Sequence, residues 1–143
     1  MNWLDYDKYG GGVSGVGQIN HYYGDPVRLL FVLASAVWLL ALPFFPDLLP
    51  FNPLIQVFAV VVIIVFAALT NPSKRWVMAY DALIAGIAVV VIESAAINQF
   101  EMSSWLEFAV REVLVVLFLI ALYLSLKTVR AMYMNQIGKE SEY

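Results

Sequence analysis

Apolar residues run almost unbroken through four stretches of the chain, at about 27–45, 54–70, 76–97 and 105–126, separated by short segments rich in Pro, Asn, Ser and acidic residues. A hydrocarbon core about 30 Å thick is crossed by roughly 20 helical residues, with a working range of roughly 17 to 25. Each stretch therefore predicts a transmembrane helix, and together they predict an all-α, polytopic integral membrane protein with four transmembrane helices in an antiparallel bundle. Asp25-Pro26 and Asn52-Pro53 open the first two helices, and Pro43 to Pro46 and Asn71-Pro72 close them. Trp76 and Trp105 stand at the entrances of the third and fourth, where aromatic rings favour the membrane interface.

The polar residues between the helices are distributed unevenly. If four helices are drawn, Lys8, Arg28, Lys74, Arg75, Lys127, Arg130 and Lys139 fall on one side, and loops 46–53 and 98–104 on the other side contain no base. Basic residues accumulate in short cytoplasmic loops, which predicts a multi-pass membrane location with both termini and the 71–75 loop in the cytoplasm. Three regions result: a flexible Gly- and Tyr-rich cytoplasmic tail at 1–26, a transmembrane domain at 27–126, and a cytoplasmic tail at 127–143. The first tail carries Asp5, Asp7 and six of the eight glycines, a composition unlike a cleavable signal peptide, so it is expected to be retained.

Composition sharpens this picture and removes several function classes. Of the 143 residues 62% are hydrophobic and 13% charged, too few charges to cover the outside of a soluble domain of this length. Eight Lys and Arg against eleven Asp and Glu offer no basic surface for a nucleic acid. The absence of cysteine excludes disulfides, thiolate metal sites and cysteine nucleophiles. Gly10 to Gly15 spell G-x-G-x-x-G, but no buried strand can precede it in nine residues, so it reads as flexible tail rather than a nucleotide cradle. Trp3, Tyr6, Tyr9, Tyr22 and Tyr23 are expected to rest on the headgroup region, and His21, the one histidine, is read as part of the tail.

Candidate chemistry rests on charges inside the spans, where an ionised side chain costs on the order of 2.5–3.5 kcal/mol at mid-membrane and normally has a partner. These are Asp81 and Glu93 in the third helix and Glu107, Arg111 and Glu112 in the fourth. Asp81 is expected to form an interfacial ion pair with Arg28, Lys74 or Lys127. Glu93 lies roughly 10 Å inside Phe100 and Arg111 roughly 9 Å inside Trp105; the matched depths predict a Glu93–Arg111 bridge between the third and fourth helices. Glu107 precedes Arg111 by four residues, the favoured spacing for a pair along one helix. Glu112 points about 100° away from Arg111 and needs another partner. The third helix also presents Ala82-x-x-x-Gly86, a small-residue spacing suited to close helix packing, and is expected to be central, with the first two helices facing lipid or another protomer.

Tyr80-Asp81-Ala82, Val89 to Val91 and Glu93 are similar to the third helix of voltage-sensor domains, including voltage-gated proton channels, as is the four-helix topology with both ends inside. The fourth helix departs from that family's pattern, because it offers Arg111 alone where such sensors repeat arginine at every third position, and no gating role is carried over. Functionally, the sequence points to a small non-catalytic membrane subunit, without cofactor or metal, that assembles with itself or a hetero-complex partner in the bilayer. The alternative is a proton or cation conduit built on the intramembrane acids. Ser94 beside Glu93 is read as a packing hydroxyl rather than a nucleophile.

Overall fold

Prolines and short polar side chains set where each helix begins. In the computed structural model, which describes residues 22–70 and 74–134, the chain forms α1 (Gly24–Ala41), α2 (Pro53–Leu69), α3 (Arg75–Asn98) and α4 (Trp105–Tyr133). Pro26 is tolerated in the first turn, where its missing N–H would have no helical partner anyway, so α1 starts at Gly24 rather than after the proline. The Asp25 carboxylate favours the positive end of the helix dipole there. Asn52 caps α2 by accepting a 2.9 Å hydrogen bond from Leu54 N–H, with Pro53 in the first position. Ser104 caps α4 through Glu107 N–H at 3.2 Å.

The described residues are all helix, turn or loop, and α1, α3 and α4 are long and apolar enough to cross a membrane. The helix bounds differ from the hydrophobic stretches in two informative places. α1 ends at Ala41, four residues before the apolar run does, because Pro43 cannot donate a helical hydrogen bond and the chain turns back with Phe44 and Phe45 N–H on the Ala41 carbonyl. α4 runs on to Tyr133 instead of stopping at 126, which gives 29 residues or about 43 Å of helix, well beyond the hydrocarbon thickness. Tail residues 1–21 and 135–143, with the glycine motif, Trp3, Tyr6, Tyr9 and His21, lie outside the described residues.

α4 packs along both α1 and α3, α2 lies on α1, and α2 touches α3 more lightly. The helix with two extensive neighbours is thus α4, in place of the third helix expected to be central. α1 contributes Val27, Phe31, Ala34, Ser35, Trp38 and Ala41 to the interior and leaves Leu29, Val32, Leu33, Leu39 and Leu40 exposed on its other side, so it is both a core helix and one with an outward apolar face. α2 buries only the stripe Gln56, Val60, Ile63 and Ala67. Phe31 and Phe118 meet at the centre with ring centroids 6.0 Å apart.

On α3 the buried stripe is Met78, Asp81, Ala85, Ile92 and Ala95, with Ala82 at its border. Gly86 does not enforce a close approach: a Cβ there would meet nothing nearer than the Leu122 side chain, at an ordinary 3.8 Å. Gly86→Ala is therefore expected to raise stability by about 0.5–1 kcal/mol, since alanine costs less backbone entropy in a helix. A thermal melt in detergent checks this, and a lowered midpoint would mean that the glycine's closeness matters after all.

Candidate functional site

Arg111 lies on the second turn of α4 and is fully buried, the largest such side chain among the described residues. Side chains on a helix lean toward its N-terminus, and this one reaches back to both loops at that end of the molecule. Its Nε donates to the Leu48 carbonyl at 2.6 Å, and Nη1 donates to Ser103 Oγ at 2.6 Å. Nη2 donates to the Asp47 carbonyl at 3.2 Å, to Gln99 Oε1, and to Glu107 Oε1 at 2.6 Å, where it also forms an ion pair. The planar fork of the guanidinium suits this convergence.

The bridge expected between Glu93 and Arg111 is accordingly not formed. Depth matching placed both residues near one level, but the guanidinium turns to the loops, where backbone carbonyls accept more hydrogen bonds than one carboxylate on α3. Of the expected charge network, Glu107 and Arg111 are brought together, and Glu93 and Glu112 are brought together elsewhere. Neither of the last two has an ion pair or hydrogen bond among the described residues.

A second polar belt holds the opposite end. Arg28 caps the C-terminus of α2, its Nε donating to the Ala67 carbonyl at 2.9 Å and Nη2 to the Thr70 carbonyl at 3.2 Å, where a cation also favours the helix dipole. Tyr23 N–H donates to Thr128 Oγ1 at 3.1 Å, and Lys127 Nζ sits 4.6 Å over the Tyr23 ring. Asp81 is fully buried and pairs with a hydroxyl, not with the base expected for it: Thr70 Oγ1 donates to Asp81 Oδ2 at 2.9 Å. Its Oδ1 has no partner among the described residues, and the same holds for Ser35 Oγ and Ser125 Oγ.

Sequence reasoning missed Gln56. It is buried in the first turn of α2, where Oε1 accepts from Trp38 Nε1 at 3.2 Å. Its Nε2 donates to the carbonyls of Pro46 at 3.1 Å and Phe51 at 2.9 Å, with a longer contact to Leu49. A lone amide at the start of an otherwise apolar helix, four residues after an N-cap and beside a proline-rich loop, was the available clue. Ser94 is exposed and donates to the Val90 carbonyl one turn back in its own helix at 2.6 Å, so it does not pack against a neighbouring helix as expected.

The outer face of α3 and α4 carries the remaining feature. Glu93, Ala96 and Ile97 of α3, with Phe100 just beyond it, face Phe108 and Glu112 of α4 across an open groove of about 320 Å³. Phe100 and Phe108 stack edge to face at 5.3 Å and close one end. A second hollow of about 260 Å³ adjoins at Glu112 and follows α4 along Val113, Val116 and Leu117.

No family model, curated protein or solved structure matches the chain. The arrangement therefore has to be read from its own chemistry. Among the described residues no group of three or more His, Asp and Glu is placed to hold a metal ion. Two belts of polar contacts brace the ends, and between them Glu93 and Glu112 stand on the outer face of α3 and α4.

Proposed function

We propose that the chain is a four-span membrane protein, its helices antiparallel and both ends cytoplasmic, that serves as a non-catalytic assembly subunit. The contacts at the two ends support the antiparallel reading, since the start of α1 meets the end of α4 and the end of α2 meets the start of α3. α2, with 17 residues, is about 25 Å long, enough for a fourth span at the lower limit. The grouping of Arg28, Lys74, Arg75, Lys127 and Arg130 at one end supports the orientation.

The observation that carries the assembly role over conduction is the interior between the belts. Phe31, Ala34, Ala85, Ile92, Leu114, Phe118 and Ala121 are at most 1% exposed and fill the layer separating Asp81 from Arg111. Asp81 and Glu93 are twelve residues apart on α3, about 18 Å along its axis, so proton transfer between them would need a chain of water through that layer. The buried Ser35 and Ser125 hydroxyls are isolated polar groups in that interior, too few to line a continuous chain of water when each buried water takes about two to four polar partners.

Reconstituted in liposomes under an imposed potential, the wild-type protein is expected to carry proton and potassium flux no greater than empty vesicles. Purified from its native membrane in mild detergent, it is expected to retain a stoichiometric partner subunit. Flux in the wild type that Glu93→Gln abolishes would overturn the assembly reading in favour of the conduit.

A further inference from the structure

Glu93 and Glu112 face an apolar surrounding, and no base among the described residues meets them or lies free at that level. Arg111, one residue from Glu112, is buried and bonded to the two loops and Glu107. Every other described base lies toward the far ends of the helices: Arg28 near the start of α1, Lys74 and Arg75 at the start of α3, Lys127 and Arg130 near the end of α4. A second copy inserted in the same orientation would bring its own buried Arg111 to this depth and two more glutamates. It would add to the charge problem instead of relieving it.

The groove also has the form of a helix seat. Its α4 wall is Phe108, Glu112 and Val116, and its α3 wall is Glu93, Ile97 and Phe100, residues at the i, i+4 and i+7 or i+8 spacings that line one helix face. The α4 wall extends about 12 Å along the axis. An ordinary lipid tail would fit its apolar part but would leave both carboxylates unmatched.

We propose that this groove docks a transmembrane helix of another protein carrying a Lys or Arg about six or seven residues from the end that lies beside Phe100. The base sits between Glu93 and Glu112, and the apolar face of the partner helix packs on Ile97 and Val116. This identification of the partner rests on the assembly-subunit reading and narrows it to one face and one charge.

The test uses the full-length protein in phosphatidylcholine vesicles with synthetic leucine-rich transmembrane peptides, labelled for energy transfer. One peptide carries a single Arg seven residues from that end, and its control carries Leu. The arginine peptide is expected to associate roughly tenfold more tightly than the control, and the Glu93→Gln/Glu112→Gln double variant is expected to lose the difference. The variant removes charge with little change in shape at two partly exposed positions, and an unchanged thermal midpoint verifies its fold. Equal association of the two peptides overturns the proposal, as does an arginine preference that survives in the double variant. Self-association of the wild type that the double variant abolishes also overturns it, because the occupant is then a second copy.

A photocrosslinker at Ile97, and another at Leu40 on α1, separates this proposal from the reading beneath it. A native partner captured from Leu40 and not from Ile97 leaves the assembly role standing and removes the groove from it.

Discussion

Arg111→Gln is expected to cost about 3–5 kcal/mol of stability, the range found when one member of a buried ion pair is removed. The loss has two parts. Glu107 keeps its carboxylate without the guanidinium, and the carbonyls of Asp47 and Leu48, with the side chains of Gln99 and Ser103, lose their donor. Glutamine is too short to replace those contacts from the second turn of α4. Unfolding in mixed micelles, followed by tryptophan fluorescence, measures the change. Arg111→Lys keeps the charge but not the fork, so an intermediate loss is expected. A change below about 1 kcal/mol for Arg111→Gln, no more than an exposed ion pair contributes, would mean that the loops are held by something else. It would also return Arg111 to consideration as a functional charge.

Gln56→Leu has the next largest expected effect, about 2–4 kcal/mol, because each buried polar group left unpaired costs about 1–3 kcal/mol. Leucine nearly matches the volume of glutamine, so the packing changes little. What is lost is the acceptor for Trp38 Nε1 and the donor for the Pro46 and Phe51 carbonyls. Limited proteolysis within 43–52 is expected to accelerate with the fall in stability. Gln56→Glu is the sharper control: it keeps an acceptor for Trp38 but turns a carboxylate toward the carbonyl oxygens, and it is expected to be worse than leucine. If the glutamate variant is the more stable of the two, the loop carbonyls are not what Gln56 holds.

These two residues brace the same loop by different routes. Gln56 gathers the 46–51 backbone from within α2, and Arg111 reaches its Asp47 and Leu48 carbonyls from α4. Leu48 and Leu49 are buried as a consequence. A connection that sequence reading treats as a proline-rich link is thereby part of the packed structure. The outer face of α3 and α4 is what remains without an internal partner.

The four apolar runs, with Asn52-Pro53 and the aromatic entrances of the last two helices, were sufficient to place four helices. Their spacing follows from local chemistry: helical hydrogen bonds are intrinsic to a segment, and proline and Asn caps act within a few residues. The position of each charge along its helix was also legible, because rise per residue is constant. The direction each long side chain takes was not. Arg111 could meet Glu93 across the bundle or the carbonyls of two loops at similar depth, and loop carbonyls leave no mark in a pattern of side chains. The same blindness hid Gln56, whose partners are mostly backbone oxygens, and paired Asp81 with an assumed base when a threonine hydroxyl at the end of α2 was nearer. It also overvalued Gly86, since a missing side chain signals close packing only if a neighbour occupies the space, and Leu122 stands 3.8 Å off. Segment identity and position along the axis are properties of the chain taken one helix at a time; partner choice depends on how helices are rotated about their axes, and only tertiary packing sets that.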